Sequence, residues 1–385
     1  MKYNFLVLAE LTEGGEWVAL TRLYEAFKAA NPGSNFYLIA FKKKFKPDLK
    51  LFREKSFLKK INSKGRFTFL PNNVNNFLEV RKQIKQTLKQ NNINFIMSAD
   101  YLTALSAISV SGKHAKVIFT FHGTRSVSDL GIQKYNYRQI FTKLFEKFSW
   151  SFSNAVIVPS LYAKQYLLTN NPLLNPKKIY IVQNIVTNCF YSRNNKVPVG
   201  RHVILYAGRL FEYKGVLNLI KAFAKFIQTN SKALLFVVYP SSSAEPGMER
   251  KMISLIKHLG VKKNTRIKKD PPKHNLIQYY KNSDVLVLPS KLENSPLVVL
   301  ESLASGTPVI GTPVGNLKEL LGKLDSTLIL KNDSPEEILL KLNTFFSMPT
   351  NNRKVLGKRS IKLAKRFSEA QALASFGKVI KNIYL

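Results

Sequence analysis

Short apolar runs alternate along the chain with longer segments that have helical spacing. Apolar runs of this length between polar or Gly- and Pro-containing residues predict buried strands, and their alternation with helices favours parallel sheets with crossover helices. In the first half we predict strands at Tyr3–Ala9, Phe36–Phe41, Phe95–Ser98, Lys116–Phe121, Ala155–Pro159 and Lys178–Val182.

The pattern restarts after a polar segment that contains Pro and Gly, at residues 191–200. The strands predicted after it are Val203–Ala207, Leu234–Tyr239, Thr265–Ile267, Val285–Pro289, Pro308–Gly311 and Ser326–Leu330. A chain of 385 residues is too long for one ordinary core. We therefore predict an α/β protein of two Rossmann-like domains that face an interdomain cleft.

The domain boundaries follow from the linker and from the last helical segment. We place the first domain at residues 1–190, the linker at 191–200 and the second domain at 201–365. Residues 366–385 have helical spacing with no strand after them, so we expect a helix that packs back on the first domain.

The composition indicates which cell compartment and which cofactors to expect. The single cysteine, Cys189, cannot form an internal disulfide, and the histidines lack metal-ligand spacing. The apolar run Phe5–Ala9 is shorter than a signal-peptide core, and no run approaches the roughly 20 apolar residues of a membrane span. We expect a cytoplasmic protein, soluble or peripheral on the inner face of the cytoplasmic membrane, with no metal or other cofactor.

The charge is strongly positive: 60 Lys and Arg against 23 Asp and Glu give +37, spread over both halves. Such a surface attracts polyanions, although a composition rich in Lys and Asn gives the same excess without a function. Nucleic-acid binding is the function that charge alone suggests. We do not expect nucleic acid as a partner, because the chain has no recognition-helix, zinc-module or RNA-binding strand signature.

One part of the first half mixes lysines with aromatic and aliphatic residues, at Phe41–Ile61. This composition suits docking on anionic lipid headgroups, which would bring the protein to a lipid-linked acceptor. The alternative is a helix whose lysines are simply solvated.

A glycine and two cations follow the predicted strand Val203–Ala207, in the segment Gly208–Gly215. Loops that leave the carboxyl ends of parallel strands open into the binding crevice of α/β proteins. Arg209 can hold phosphate oxygens with two parallel hydrogen bonds, and Lys214 adds a compact positive charge. The alternative is two solvated loop cations.

A second strand, loop and helix follow downstream, where Ser295 and Pro296 are predicted as the N-cap and first turn of a helix that ends at Gly306. A helix N-terminus beside the two cations would complete an anion site. Pro296 has no N–H group, so its neighbours must donate. The residues concerned are Asn294, Ser295 and Leu297.

Two carboxylates belong to the same segment. Glu301 lies within the predicted helix on an otherwise apolar face, where a carboxylate needs partners, and two vicinal ribose hydroxyls would bind both its oxygens. Glu293, on the loop, could accept hydrogen bonds from the sugar or balance charge around the phosphates. The alternative for this pair is an ion-paired core glutamate and an ordinary loop glutamate.

These segments resemble the retaining glycosyltransferases of family 4, also called glycosyl transferases group 1, which have the GT-B fold. The shared motifs are Gly-Arg-x4-Lys-Gly at Gly208–Gly215, Glu-x7-Glu at Glu293 and Glu301, and Gly-x-Pro-Val at Gly306–Val309. The resemblance covers nearly the whole chain. It implies that the second domain binds a nucleotide-sugar, with Arg209 and Lys214 on the diphosphate and Glu301 on the ribose.

The first half resembles the same family and would bind the acceptor. Gly14 and Gly15 match a glycine-rich turn where backbone approaches donor phosphate or acceptor, although a Gly-Gly pair alone fits any tight turn. His122, before Gly123, matches a strand-end histidine near the transferred sugar, although a lone histidine is more often structural.

The resemblance implies transfer of a hexose-type sugar from a nucleoside diphosphate to a glycan or lipid-linked acceptor, with retention. Arg209, Lys214 and the helix N-terminus would stabilise the departing pyrophosphate, so no metal is required. Synthesis of a bacterial surface glycan, such as lipopolysaccharide or capsule, is the expected setting. A nucleotide-sugar epimerase or a phosphorylase remains the alternative, because a fold does not fix a reaction.

Overall fold

The computed structural model describes residues 2–11, 15–43, 54–57, 71–113, 115–122, 137–191, 201–241 and 244–384. The chain forms two compact units, each described by itself below. Unit 1 comprises Met1–Asn184 and Glu369–Leu385, and unit 2 comprises Ile185–Ser368.

The boundaries of the units differ by a few residues from those expected from the sequence. Residues 185–190 belong to unit 2 and not to the first domain, because Val186 and Phe190 are buried in the core of unit 2. The backbone N–H of Val186 also donates to the carbonyl oxygen of Phe367 at 3.0 Å. This bond holds the beginning and the end of unit 2 together.

Unit 1 is a parallel sheet of seven strands, in the order β3-β2-β1-β4-β5-β6-β7. The strands are β1 Asn4–Leu11, β2 Asn35–Lys43, β3 Glu54–Phe57, β4 Phe95–Ser98, β5 Lys116–Thr120, β6 Ala155–Val158 and β7 Ile179–Ile181. Its helices are α1 Gly15–Ala30, α2 Pro71–Gln90, α3 Tyr101–Ser111, α4 Tyr137–Phe152, α5 Leu161–Asn170 and the last helix of the chain, α13 Glu369–Tyr384.

Unit 2 is a parallel sheet of five strands, in the order β10-β9-β8-β11-β12. The strands are β8 Val203–Ala207, β9 Leu234–Tyr239, β10 Thr265–Lys269, β11 Val285–Leu288 and β12 Val309–Gly311. The helices are α6 Val216–Phe226, α7 Met248–His258, α8 Lys273–Lys281, α9 Leu297–Ala304, α10 Leu317–Leu324, α11 Pro335–Ser347 and α12 Thr350–Ala364. The chain order reverses between β8 and β11, which is where open α/β sheets bind ligands.

The predicted strands differ from the structure at two places. The segment predicted as a strand at Ser326–Leu330 forms a short 3-10 helix at Ser326–Leu328 and keeps only one bridge, between Gly311 and Ile329. The Asp325 side chain accepts a hydrogen bond from the Thr327 N–H, which stabilises that turn. β3 is not among the predicted strands, because this edge strand is polar and lacks an apolar run.

Candidate functional site

The predicted cations and the loop glutamate follow two neighbouring strands. Arg209 and Lys214 come after β8, Glu293 comes after β11, and these strands pair directly at the switch point of the unit 2 sheet. The carboxyl ends of parallel strands meet at one edge, so the topology brings these loops together.

Backbone hydrogen bonds tie the loops to each other. The Lys291 N–H donates to the carbonyl oxygen of Tyr213 at 2.7 Å, which joins the loop after β11 to the loop after β8. The Asn316 N–H donates to the carbonyl oxygen of Asn294 at 3.0 Å, which joins it to the loop after β12. Three loops therefore form one connected scaffold.

Two glycines allow the loops to approach this closely. Gly215 has a φ of +75°, and a Cβ atom there would lie 2.3 Å from the carbonyl oxygen of Pro289. Gly315 has a φ of +58°, and a Cβ atom there would lie 2.5 Å from the carbonyl oxygen of Glu293. Both positions need a left-handed backbone and have no space for a side chain. Asn316, the next residue, has a φ of −83°.

Lys214 and Glu293 form an ion pair inside the scaffold. The Lys214 Nζ lies 2.5 Å from Glu293 Oε1, and the two side chains are only 10% and 8% exposed. The Ser290 hydroxyl donates to the same carboxylate oxygen at 2.9 Å. Burial lowers the pKa of Lys214, and the charge of Glu293 opposes that shift. The carboxylate therefore favours the charged lysine in a place that penalises charge.

Arg209 is exposed and is oriented by two aromatic residues that the sequence analysis missed. Its Nη2 donates to the Tyr213 hydroxyl at 3.0 Å, and its guanidinium carbon lies 5.0 Å from the centre of the Phe211 ring. The Lys214 Nζ lies 5.3 Å from the centre of the Tyr213 ring. Tyr213 thus contacts both cations, and burial raises the pKa of its phenol, which favours the neutral form.

The helices that follow the two loops begin without a capping side chain. The N-cap of α6 is Gly215 and the N-cap of α9 is Pro296, and neither residue has a side-chain acceptor. Ser295 was predicted as the N-cap of α9, but its hydroxyl accepts a hydrogen bond from the Asn316 Nδ2 at 3.0 Å. No N-cap side chain therefore accepts a hydrogen bond from the first amide groups of these helices, such as that of Leu297. Another acceptor can bind them.

The end of α9 agrees with the prediction at Gly306. The Gly306 N–H donates to the Leu303 carbonyl oxygen and the Thr307 N–H to the Ser302 carbonyl oxygen, both at 3.0 Å. Gly306 has a φ of +77°, so the helix ends in a Schellman motif.

Glu301 lies within α9 and is 4% exposed. Its Oε2 accepts a hydrogen bond at 3.1 Å from the hydroxyl of Tyr280, which is fully buried in α8. Tyr280 was absent from the sequence predictions, since nothing in its spacing connects it to Glu301. Its hydroxyl fixes one side of the carboxylate.

The remaining predicted site residues belong to unit 1. His122 is half-buried just after β5, and burial lowers its pKa to about 4, so the imidazole is neutral at neutral pH. Gly15 is the first residue of α1. Gly14 and Gly123 lie outside the described residues. The structure places seven of the predicted residues in unit 2, and a direct contact joins Lys214 to Glu293. The seven are Arg209, Lys214, Glu293, Asn294, Ser295, Leu297 and Glu301. Gly15 and His122 are in unit 1.

Neither a membrane-spanning helix nor a metal-ligand group occurs in the described ranges. None of the helices in the described ranges combines the length and apolar character needed to cross a membrane. In the same ranges, no three His, Cys, Asp or Glu side chains form a group that could hold a metal ion.

The two Rossmann-like units define the chain as a protein of the GT-B architecture, and two family models identify it further. "Glycosyltransferase Family 4" matches residues 30–187 and "Glycosyl transferases group 1" matches residues 190–363. The chain belongs to the family 4 glycosyltransferases.

Similar proteins of known sequence or structure agree with this. The D-inositol 3-phosphate glycosyltransferase of Corynebacterium urealyticum is 31% identical over 142 residues, which are 36% of this chain and 34% of that relative. The sucrose-phosphate synthase of Thermosynechococcus elongatus has a TM-score of 0.80 at 18% identity, over 99% of each chain. Anabaena Alr3699/HepE in complex with UDP and glucose has a TM-score of 0.77 at 15% identity, over 99% of this chain and 100% of that one. At these identities the solved structures show the shared fold.

Proposed function

We propose that this chain transfers a hexose-type sugar from a nucleoside diphosphate donor to a glycan or lipid-linked acceptor, with retention of anomeric configuration. The observation that carries the proposal is the buried Lys214, paired with Glu293 on loops that lead into two helix N-termini without capping side chains. Such an arrangement suits a diphosphate, because it offers fixed positive charge and N–H donors together.

Arg209 and Lys214 have different parts in the proposed reaction. Lys214 is buried and fixed, so it would stabilise the negative charge that develops on the departing diphosphate without reorganising. Arg209 is exposed and held at its Nη2 by Tyr213, and its other N–H groups can reach a second phosphate oxygen. Neither residue needs to exchange a proton.

Two roles are expected for Glu293, hydrogen bonding to the sugar and charge balance around the phosphates. Its contacts favour charge balance. Its Oε1 already accepts from Lys214 and Ser290. Glu301 keeps its proposed role on the ribose, with the Tyr280 hydroxyl fixing the carboxylate from behind. Asn294, Ser295 and Leu297 would complete the donor site through their backbone.

The proposal for unit 1 rests on the family resemblance. His122 would lie near the transferred sugar as a neutral imidazole, and the turn with Gly14 and Gly15 would approach donor phosphate or acceptor. Synthesis of a bacterial surface polysaccharide at the cytoplasmic face of the membrane is the proposed setting. Much of the lysine-rich segment Phe41–Ile61 lies outside the described residues, so lipid docking there stays a prediction.

The donor is tested by measuring the shift in melting temperature with UDP-, GDP- and ADP-sugars. We expect a UDP-sugar to stabilise the protein, since a protein of the same fold binds UDP and glucose. Incubation of the bound donor with glycan acceptors should then give a glycoside with the donor's anomeric configuration. An epimerised donor, a free sugar 1-phosphate or an inverted product would contradict the proposal.

A further inference from the structure

Helix α4 of unit 1 has an inverted distribution of polar and apolar side chains. Between residues 140 and 152 all the exposed side chains are large and apolar. They form what we call the α4 face: Ile140, Phe141, Leu144, Phe145, Phe148 and Phe152. The buried side of the same helix contains Glu146 and Ser149 beside Trp150. A helix that packs only on its own core has the opposite pattern.

The α4 face is continuous. At 100° per residue its six members fall within an arc of about 140°, opposite the buried side. Phe148 and Phe152 are 41% and 61% exposed, and their ring centres lie 6.1 Å apart. Scattered exposed apolar residues are ordinary, but a contiguous group of this kind marks an interaction surface.

A neighbouring turn extends the α4 face at the end of the helix. Leu173 is 92% exposed, on the turn that follows α5. The Asn171 Nδ2 donates to the Ser151 hydroxyl at 3.0 Å, and the Lys178 Nζ donates to the Ser151 carbonyl oxygen at 3.3 Å. These bonds attach the turn to the last residues of α4, so Leu173 is fixed beside the helix.

The charge around the α4 face identifies its occupant. Lys143 and Lys147 lie on α4 at the edge of the face, and the Lys178 Nζ donates to the Ser151 carbonyl oxygen at its end, whereas the only acidic residue between 140 and 191 is Glu146, which is buried. An aromatic-rich apolar strip with a basic surround matches the acyl and headgroup layers of an anionic bilayer.

We infer that the α4 face is the surface by which this protein docks on an anionic lipid membrane. The helix lies in the plane of the interface, with its phenylalanines at the acyl boundary and the lysines among the headgroups. The role of this docking rests on the proposed function, because it would bring the enzyme to a lipid-linked acceptor.

The test compares the full-length protein with two double variants in vesicle sedimentation. Phe148→Ser with Phe152→Ser alters the α4 face. Ile253→Ser with Leu340→Ser alters two exposed apolar residues of unit 2, which are 48% and 54% exposed, and is the matched control. Vesicles of phosphatidylcholine alone are compared with vesicles that also contain phosphatidylglycerol, at low and high ionic strength.

We expect the wild type and the control to bind the anionic vesicles at low ionic strength, and the α4 variant to bind at least about tenfold more weakly. Absence of wild-type binding, or equal binding by both double variants, would overturn the inference. A wild-type dimer that the α4 variant converts to a monomer, without vesicle binding, would assign the face to a second copy. If the α4 variant lost much thermal stability and the wild type bound no vesicles, the α4 face would instead pack against another segment of the chain.

A second variant tests insertion without removing apolar surface. Phe148→Trp places a fluorophore on the α4 face, and brominated lipids should quench its emission more than that of the wild type, which has Trp17 and Trp150. Equal quenching would contradict insertion. The shift in melting temperature with nucleotide-sugars reports the proposed function separately, and we expect it to be unchanged in the α4 variant.

Discussion

At the scale of single residues, the proposed site depends most on the side chain of Lys214. The lysine is buried, and Glu293 is its partner at 2.5 Å. A buried charge without its partner costs several kcal/mol, so each residue of the pair depends on the other for stability. The departing diphosphate would interact with a cation already fixed in place.

Replacing this cation should separate catalysis from stability. Lys214→Met should lower sugar transfer by about 100-fold or more and destabilise the protein, because the buried Glu293 carboxylate loses its partner. Adding Glu293→Gln should recover stability but not transfer, as measured by chemical unfolding and by product formation. Lys225→Met removes an exposed ion pair and is the control, with little expected change in stability or transfer. Near-normal turnover of Lys214→Met would refute the site.

Tyr280 is a positioning residue in this scheme. Tyr280→Phe keeps the buried ring and removes the hydroxyl that donates to Glu301. We expect the donor KM to rise about five- to tenfold, as for the loss of one hydrogen bond of typical strength, with little change in kcat. Tyr279→Phe, on the same helix, should leave the donor KM unchanged. If both variants had the same donor KM, Tyr280 would not be a residue of the site.

His122 should make stability depend on pH. In the unfolded chain the imidazole binds a proton as the pH falls through about 6.5, but the folded protein binds it only near pH 4. Between these values the unfolded state holds more protons, so the free energy of unfolding should fall as the pH is lowered through that window. His122→Gln should lose this component, which urea unfolding from pH 4 to 7 would show. Parallel curves for both proteins would disprove it.

At the scale of elements, the loops of unit 2 depend on glycines at their closest approaches. Gly215→Ala should destabilise the protein and abolish donor binding, since its Cβ would meet the Pro289 carbonyl oxygen. Gly322→Ala is the control, because that glycine lies in α10 with no atom within 4 Å of an added Cβ. It should stabilise the helix by about 0.5–1 kcal/mol. Thermal unfolding and donor titration measure both effects, and an unperturbed Gly215→Ala protein would contradict the close approach.

At the scale of the whole molecule, the last helix belongs to the first unit. Phe376 of α13 is fully buried, with its ring centre 5.1 Å from that of Phe27 and 6.2 Å from that of Phe5. Phe376→Ala should cost unit 1 about 3–5 kcal/mol and leave donor binding by unit 2 intact. Val355→Ala, at an exposed position of α12, is the control. Equal unfolding curves for the two variants would contradict this assignment of α13.

The sequence by itself determined the parallel α/β class, the restart of the pattern after the linker, and the residues of the loops proposed to bind phosphate. These features are local: β4, β8 and β9 have the predicted bounds because a short apolar run between polar residues favours a buried strand. The motif residues were found because their spacing lies within single loops.

Only the tertiary structure decided which distant residues complete the site. Tyr280 reaches Glu301 from another helix, and the Lys214 and Glu293 side chains meet because β8 and β11 are neighbours in the sheet. The exposed apolar side of α4 was also invisible to the sequence, because helical spacing shows that a stripe exists but not which side faces the core. Pairing between distant segments depends on the whole fold, which local patterns do not encode.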